Sequence, residues 1–326
     1  QLLTDLEGLW HLDESLGTTG TTSVKDSSGN NRHGQNLGSV SFGKSGMFGS
    51  SPKFNGTTDS IVAPVDLSGT DVVTVSFWLY WPSYANNDDL ALEFYPNYNN
   101  TTGGFMIDPN CSIGCSGMFA ISLRGNVGFS AASFPRPSAG IWHHYTFIFD
   151  KSRATNEMDA YVNGVLQTLT YTHNTNNTNN FDNTNLYFMS RGGTTLFGAG
   201  NIDEVAVWSR ALDPAEILQL YRRGANRIKY QVRSCNDNAC SGETWMGPDG
   251  TNQSYFSELY NTTSNQITNT VLNSLPTITF SNFSSVTISN NQYFQYRAIM
   301  ESDDNNSLCD YGLSLIHISE PTRQAE

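Results

Sequence analysis

Runs of apolar and β-branched residues with a period of two, separated by turn residues, recur along most of the chain. This pattern is typical of short β strands. The dipeptide Asn163-Gly164 lies between two apolar runs and predicts a tight hairpin. Together these signals predict an all-β protein with the architecture of a sandwich or jelly roll. Strands are predicted at 71–81, 142–150, 158–167, 186–190 and 202–208.

One segment carries the signals of a helix. Asp213 is a suitable N-cap, Pro214 suits the first helical position, and Glu216 completes a capping box. Gly224 is a suitable stop signal. The sequence therefore predicts one short helix at 214–223, after the last strand of the series.

The pattern of alternating apolar and polar residues that predicts strands starts again beyond this helix. Alternating segments at 227–235 and 292–301 predict strands, and shorter ones are predicted at 277–280 and 286–288. We therefore expect a first domain over residues 1–224. A second, smaller β-sandwich module is expected over residues 225–306, and we expect it to be incomplete at its C-terminal edge.

Composition and charge narrow the choice of partners. Only 14% of the 326 residues are charged, and Asn, Ser, Thr and Gly take their place. The polar tract 173–183 is an example, and it predicts a long hairpin loop. The net charge of −13 repels phosphate backbones, so we expect no nucleic acid partner. Since no apolar run approaches the roughly 18 residues of a membrane span, we expect no membrane insertion.

Both ends of the sequence are unusual. The chain begins at Gln1 without a signal-peptide pattern, so we expect an internal or trimmed piece of a longer protein. The run 314–323 resembles the translation of sequencing-adapter DNA. We therefore expect residues 307–326 to be a non-native tail, and the alternative is a genuine C-terminal strand.

Four of the five cysteines form two close pairs, Cys111 with Cys115 and Cys235 with Cys240, and Cys309 lies in the suspect tail. Each pair is suited to closing a short loop as a disulfide, which indicates an oxidising, extracellular setting. Zinc binding and free thiols are the alternatives. The loops lack nearby histidine and lie far apart in sequence, which disfavours zinc.

Several motifs together resemble the LamG-like jelly-roll domains of the concanavalin A-like lectin/glucanase superfamily. The resemblance extends over about residues 7–224, and it implies a jelly roll closed by the one short helix. The segment after it resembles sandwich modules of secreted bacterial proteins. The motifs are Gly8-Leu-Trp-His-Leu-Asp-Glu14, 24–34, 54–62, 73–79, Trp142-His-His-Tyr145, Tyr161-Val-Asn-Gly-Val165 and 201–212.

The superfamily includes glucanases, so catalysis has to be considered. A retaining glycosidase needs two carboxylates about 5–5.5 Å apart. In the laminarinase-like pattern the catalytic positions fall here on Asn201 and Ala206, which cannot serve. The sequence contains no G-x-S-x-G nucleophile elbow either. We therefore expect a non-catalytic module.

A structural Ca²⁺ is implied by the resemblance, and Asp26 and Asp203 are the ligands carried over from the family. Asp26, Ser28 and Asn30 also present side-chain oxygens at alternate positions, and oxygen is the ligand that calcium prefers. We therefore predict Asp26, Asn30 and Asp203 as metal ligands. The alternative is that Asp26 and Asn30 cap a turn and that Asp203 hydrogen-bonds the backbone.

Carbohydrate recognition would use exposed aromatic rings with neighbouring amides. Trp81, Tyr84, Tyr95 and Tyr98 lie in or beside the loop 82–104, and we predict them as ligand-binding residues. The alternative is that these rings pack beneath the loop.

Three functions remain open at this point. The first is a carbohydrate-binding module of a secreted or cell-surface multidomain protein, with a glycan as partner. The second is an adhesion or spacer module whose partner is an extracellular protein. The third, which we favour least, is a degenerate glycosidase fragment.

Overall fold

The computed structural model describes residues 2–14, 20, 23–48, 50–85, 87–112, 114–222, 227–247, 252, 256–257, 291 and 293–301. The chain divides into two compact units, Gln1–Tyr221 and Arg222–Glu326, which are described separately. The strands predicted at 277–280 and 286–288, the predicted helix stop at Gly224 and the suspect tail 307–326 lie outside the described residues.

The first unit is built almost entirely from strands. In chain order they are β1 (Leu6–Trp10), β2 (Gln35–Leu37), β3 (Ser41–Ser45), β4 (Ser50–Asn55), β5 (Ser60–Asp66), β6 (Val72–Tyr80), β7 (Leu92–Phe94), β8 (Phe105–Asp108), β9 (Met118–Arg124), β10 (Phe129–Pro135), β11 (Trp142–Asp150), β12 (Met158–Val162), β13 (Val165–Leu166), β14 (Thr170–His173), β15 (Asn183–Phe188) and β16 (Ala199–Trp208). A short 3₁₀ helix, Tyr98–Asn100, lies between β7 and β8.

These strands form two antiparallel sheets. The first sheet has the order β13-β12-β11-β6-β16-β4-β3, and β1 also pairs with β16. The second sheet has the order β14-β10-β9-β8-β7-β15-β5-β2. Neighbours in a sheet are often distant in sequence, as in a jelly roll. The predicted all-β jelly-roll fold is confirmed.

Aromatic side chains fill the space between the two sheets. Phe105 on β8 stacks on Phe149 of β11 with ring centroids 4.5 Å apart, and on Phe94 of β7 at 5.3 Å. Phe119 on β9 contacts Tyr145 of β11 at 4.9 Å. All but Tyr145, which is 2% exposed, are 0% exposed, so the alternating apolar positions of the strands face one another across the sandwich.

The predicted hairpin at Asn163-Gly164 is present. The strands β12 and β13 pair with Val162 opposite Val165. Asn163 has φ = 51° and Gly164 has φ = 75°, as the tight primed turn requires.

The helix α1 (Pro214–Arg222) covers the outer face of the first sheet. Its capping box is formed as predicted: Asp213 Oδ1 accepts the amides of Ala215 and Glu216 at 2.8 Å, and Glu216 accepts the Asp213 amide at 3.1 Å. The buried Ile217 packs with Trp208 in a second hydrophobic cluster. Among the described residues, no helix is long and apolar enough to cross a membrane.

The second unit contains β17 (Arg227–Cys235), β18 (Phe256–Ser257) and β19 (Tyr293–Glu301) in the order β18-β17-β19. The strands β17 and β19 pair from end to end, with Arg227 opposite Glu301. The disulfide Cys235–Cys240 closes the loop after β17. The complete sandwich that the sequence predicts here stays a prediction.

Candidate functional site

A groove runs along the outer face of the second sheet, and the alternation of side chains explains its position. On β9 the residues Phe119, Ile121 and Leu123 point into the core and are 0% exposed. The intervening positions Ala120 and Ser122 therefore point outward. Small side chains at outward positions of neighbouring strands leave a trough between taller neighbours.

The groove has a volume of about 610 Å³, which is within the range of small-ligand sites. Ala131 and Ser133 of β10 continue the floor beside Ser122 and Ala120. The other residues that line it come from β8, β10, β14 and the loops at both ends of the strands. They are Asp88, Leu90, Tyr98, Asn99, Met106, Asp108, Cys111, Gly114, Cys115, Phe129, Ala132, Thr172, His173, Arg191 and Leu196.

One end of the groove is aromatic. The ring of Phe129 lies 4.0 Å from that of His173, measured between centroids. The guanidinium of Arg124 lies over Phe129 at 5.0 Å and over Tyr98 at 5.6 Å. Arg124 also donates a 2.6 Å hydrogen bond to Asn99. This end, which we call the aromatic end, thus combines ring faces with a cation.

A buried ion pair supports this end from the side. Glu93 on β7 is 0% exposed, and both of its carboxylate oxygens accept Arg191 Nε at 3.0 Å. Glu93 also accepts the Tyr98 amide at 2.9 Å, so it fixes the 3₁₀ helix that carries Tyr98. Burial raises the pKa of Glu93 to about 7, although Arg191 and the amide lower it.

The opposite end of the groove is acidic, and we call it the acidic end. Asp108 on β8 is 2% exposed, and Asp88 and Asp89 lie close enough to repel it. Asp88 accepts hydrogen bonds from the amide and hydroxyl of Ser112, at 2.6 and 2.5 Å. The disulfide Cys111–Cys115 closes this loop. Both predicted disulfides are therefore confirmed.

The pKa of Asp108 gives a prediction for stability. Burial, with repulsion from Asp88 and Asp89, raises the pKa of Asp108 from its ordinary value of 3.8 to about 7. The unfolded chain releases the Asp108 proton near pH 4, whereas the folded protein keeps it up to about pH 7. The contribution of Asp108 to stability therefore falls as pH rises from 4 to 7. Replacing Asp108 by Asn removes this loss.

We expect the free energy of unfolding of D108N, relative to wild type, to increase by up to about 1.4 kcal/mol per pH unit between pH 4 and pH 7. Urea unfolding of both proteins at pH 4.5, 6 and 7.5 measures it. The quantity to compare is the difference in unfolding free energy between D108N and wild type. Burial also raises the pKa of Glu93 and lowers the pKa of His144, so both groups change stability with pH, but they do so in both proteins and cancel in the difference. A difference that does not change with pH would contradict the prediction.

The structure does not bring the four predicted ligand-binding residues together. Trp81 is 3% exposed and packs in the core between the sheets, so its predicted role in an exposed platform is wrong. Tyr84 is half-buried, with its ring 4.7 Å from the Arg136 guanidinium and its hydroxyl donating to Pro137 O at 3.1 Å. Tyr95 is partly exposed with φ = 94°, but it does not line the groove. Of the four, Tyr98 alone lines it.

Asp26, a predicted metal ligand, forms the turn cap that was the alternative interpretation. Its Oδ1 accepts the amides of Leu9 and Ser28, at 3.0 and 2.9 Å. Its Oδ2 accepts the Arg32 amide at 2.8 Å and the Ser28 hydroxyl at 2.9 Å. The Asn30 amide donates to the carbonyls of Leu6 and Glu7. Both residues therefore tie the turn to β1.

Asp203 on β16 is different. Its Oδ2 accepts the amides of Met47 and Phe48, at 2.8 and 3.1 Å, whereas its Oδ1 is buried without a hydrogen-bond partner. Burial, with repulsion from Glu204 and Asp13, raises the pKa of Asp203 to about 8. An unpaired buried carboxylate oxygen is a donor that calcium accepts, but Asp203 does not form, with two further described acidic side chains, a set whose ligand atoms lie within 4.8 Å of one another.

A second acidic group needs a separate assessment. Among the described residues, Asp88, Asp108 and Cys111 are the one set of three His, Cys, Asp or Glu side chains whose ligand atoms lie within 4.8 Å of one another. Cys111 is in a disulfide, so its sulfur is not a thiolate ligand. We therefore do not regard this set as a metal site.

The glycosidase-like positions lie away from the groove. Asn201 and Ala206 are on β16, which belongs to the first sheet, and they pair with Tyr80 and Ser76 of β6. The side chain of Asn201 hydrogen-bonds Ser51. Beside the groove, both oxygens of Glu93 accept Arg191 Nε, and Oε1 also accepts the Tyr98 amide.

Phe129, His173, Arg124 and the Ala–Ser floor are residues that the sequence analysis did not identify. The only signal for them was the small-residue alternation within 118–124 and 129–135, and no local pattern shows that β9 and β10 are neighbours of β8 and β14.

The chain is similar to a known family and to several solved structures. The family profile described as the concanavalin A-like lectin/glucanases superfamily matches residues 55–218, half of the chain. The receptor-binding domain of botulinum neurotoxin C/D mosaic serotype is similar in structure, with a TM-score of 0.51 and 12% identity. The similarity covers 74% of this chain and 62% of that domain, and it shows the fold alone.

Two other solved structures are similar at lower scores. Domain 4 of AbnA, a GH43 extracellular arabinanase from Geobacillus stearothermophilus solved with arabinotriose, gives a TM-score of 0.48 at 17% identity, covering 66% of this chain and 98% of that one. The binding domain of Paraclostridial Mosquitocidal Protein 1 gives 0.48 at 16%, covering 94% and 73%. A comparison with curated protein sequences finds no match.

Proposed function

This chain belongs to the concanavalin A-like lectin/glucanases superfamily, and from that premise we propose that its first unit is a non-catalytic carbohydrate-binding module. The groove on the second sheet carries the proposal. It offers ring faces at one end, hydroxyl and carboxylate groups along its length and a floor of small side chains on which a sugar chain fits. Since a fold does not determine function, these groups and not the fold support the proposal.

Two carboxylates line the groove, Asp88 and Asp108, and their ligand oxygens lie within 4.8 Å of each other. Asp88 accepts the amide and hydroxyl of Ser112, and Asp108 accepts the Asn110 amide at 2.8 Å. Because both carboxylates are engaged in hydrogen bonds that shape the loop, we favour a binding role over a catalytic one. We further propose that the module acts outside the cytoplasm, since its disulfides form in oxidising compartments.

Filling the groove tests the proposal. We expect wild-type protein to bind members of a broad panel of immobilised oligosaccharides and Ala131→Trp to lose that binding, because Ala131 is on the groove floor. Val165→Trp is the matched control, since Val165 is 63% exposed on β13 of the other sheet. Melting temperatures verify that both variants fold. Binding that survives in A131W contradicts the groove assignment, and no binding by any glycan favours the alternative, a protein-adhesion or spacer module.

We also propose that the unit binds one structural Ca²⁺ through Asp203. The unpaired buried Oδ1 of Asp203 supports this proposal, and calcium would supply a positive charge that keeps the carboxylate ionised. Asp26 is a weaker candidate because both of its oxygens already accept hydrogen bonds.

Thermal melts with calcium and with chelator test this second proposal. A cation that binds only the folded state stabilises it by about 2.7 kcal/mol at 100 times Kd. We expect this shift in wild type and in Asp26→Asn, and its loss in Asp203→Asn. A shift that D203N retains, or none in wild type, would contradict the site. A shift lost in D26N as well would make Asp26 a ligand.

A further inference from the structure

The two ends of the groove carry opposite charge, and this polarity has a consequence for the ligand. On β9 the outward positions run from Ala120, which pairs with Asp108, to Arg124, which pairs with Phe129. Four residues of strand separate these positions, a distance of about 13 Å. That span corresponds to a short oligosaccharide lying along the strands.

Arg124 borders the aromatic end: it contacts Phe129, Tyr98 and Asn99, which line the groove, and so places a cation beside them. The charge of Arg191 is compensated by Glu93, whereas among the described residues no carboxylate lies within 4.0 Å of the Arg124 guanidinium. Its partner is the neutral Asn99, and its Nε is buried without a hydrogen-bond partner. Arg124 therefore lies over two rings and has no carboxylate partner within 4.0 Å in the part of the chain that the structure describes.

The surroundings of Arg124 hold the guanidinium in place rather than neutralise it. The ring centroids of Phe129 and Tyr98 lie 5.0 and 5.6 Å from it, and Phe129 itself contacts the His173 ring in a tilted arrangement. A guanidinium that lies over ring faces can still donate from its terminal nitrogens to a planar or tetrahedral oxyanion. The acidic end, with Asp88, Asp89 and Asp108, repels the same groups.

We infer that the groove recognises glycans that carry a single anionic group, a carboxylate or a sulfate ester, on one terminal sugar, and that it binds them in one orientation with this sugar at Arg124. The rest of the ligand is neutral, since its hydroxyls lie over the Ala–Ser floor and reach the acidic end. This inference rests on the proposed carbohydrate-binding function. A glycan with a charge on every sugar would meet Asp88, Asp89 and Asp108 and bind more weakly.

Matched glycans test the inference. The probes are pairs of neutral oligosaccharides with and without one terminal uronate, such as glucuronosyl-xylotriose against xylotetraose. A second set has one terminal sulfate, such as 6-sulfolactose against lactose, and trigalacturonate is the polyanion. Titration calorimetry at low and at 0.5 M salt gives the affinities. We expect an anionic member to bind about 10- to 100-fold more tightly than its neutral partner, less so at high salt, and trigalacturonate to bind more weakly than the singly charged glycan.

Variants assign the effect to Arg124. Arg124→Gln removes the charge, so we expect the preference for the anionic member to disappear while neutral binding remains. We expect Arg124→Lys, which keeps the positive charge, to retain part of the preference for the anionic glycan over its neutral partner. Arg153→Gln is the control, because Arg153 is paired with Asp150 and Asp159 elsewhere.

The outcomes separate this inference from the proposed function. If neutral glycans bind as tightly as their charged partners, the inference is wrong. If A131W also loses this binding, the proposed carbohydrate-binding function still holds. A preference that R124Q retains also overturns the inference. No binding by any glycan overturns both. The uronate and sulfate sets distinguish the two sources of the anionic group.

Discussion

Replacing Glu157 by alanine is expected to lower the free energy of unfolding by about 3–5 kcal/mol, because it leaves several buried donors without an acceptor. Glu157 is 0% exposed. Its carboxylate accepts the Ser130 hydroxyl at 2.5 Å, the Asn177 amide at 2.6 Å and the Asn177 side chain at 3.0 Å. This carboxylate therefore anchors the Asn- and Thr-rich tract 173–183 to the sandwich.

Equilibrium urea unfolding at pH 7 measures the effect of E157A. Thr178→Ala is the control from the same tract, since it removes one exposed hydrogen bond, from Asn126 Nδ2 at 3.1 Å. We expect T178A to change stability by less than about 1 kcal/mol. If E157A also stays within that range, the tract is held by other contacts and the anchoring role is wrong.

Replacing Phe105 by alanine is expected to destabilise the first unit by about 3–5 kcal/mol. Phe105 is 0% exposed and stacks on rings of both sheets, Phe94 at 5.3 Å and Phe149 at 4.5 Å. Its loss therefore leaves a cavity where the sheets meet, and the ring contacts disappear with it.

Phe105→Leu is the matched variant, because it keeps most of the volume and removes the ring. We expect it to cost about 1–2 kcal/mol. Thermal and urea unfolding of both variants give the comparison. Equal losses for F105A and F105L would show that ring stacking, and not volume, determines stability here, and a small loss for F105A would contradict the central position of this residue.

Local signals in the sequence predicted the elements well where the determinant itself is local. The capping box at Asp213 and Glu216 marks the start of α1, and the Asn163-Gly164 turn places β12 and β13. The alternation at 142–150 gives the bounds of β11 as the structure has them. Each of these signals depends on residues only a few positions apart.

The groove could not be predicted in the same way, because it depends on which strands become neighbours. Ser122 lies on the floor of a groove only because β9 pairs with β8 and β10, which place Met106 and Ala131 on either side of it. Trp81 was predicted to bind ligand because it lies beside the loop 82–104, yet Gly198 packs against its ring and the side chain belongs to the core. Burial of an aromatic residue is set by tertiary contacts that a local pattern does not contain.

The pairing of β1 with β16 has a consequence for how this unit can be combined with others. Leu6 lies opposite Trp208, and Trp208 Nε1 donates to Leu2 O at 2.7 Å, so the first strand and the last strand of the unit are side by side. A unit whose two chain ends meet at one point can be inserted into a loop of a host protein, or circularly permuted, without stretching either linker. The groove is on the opposite sheet, so a host attached at these ends would leave it open.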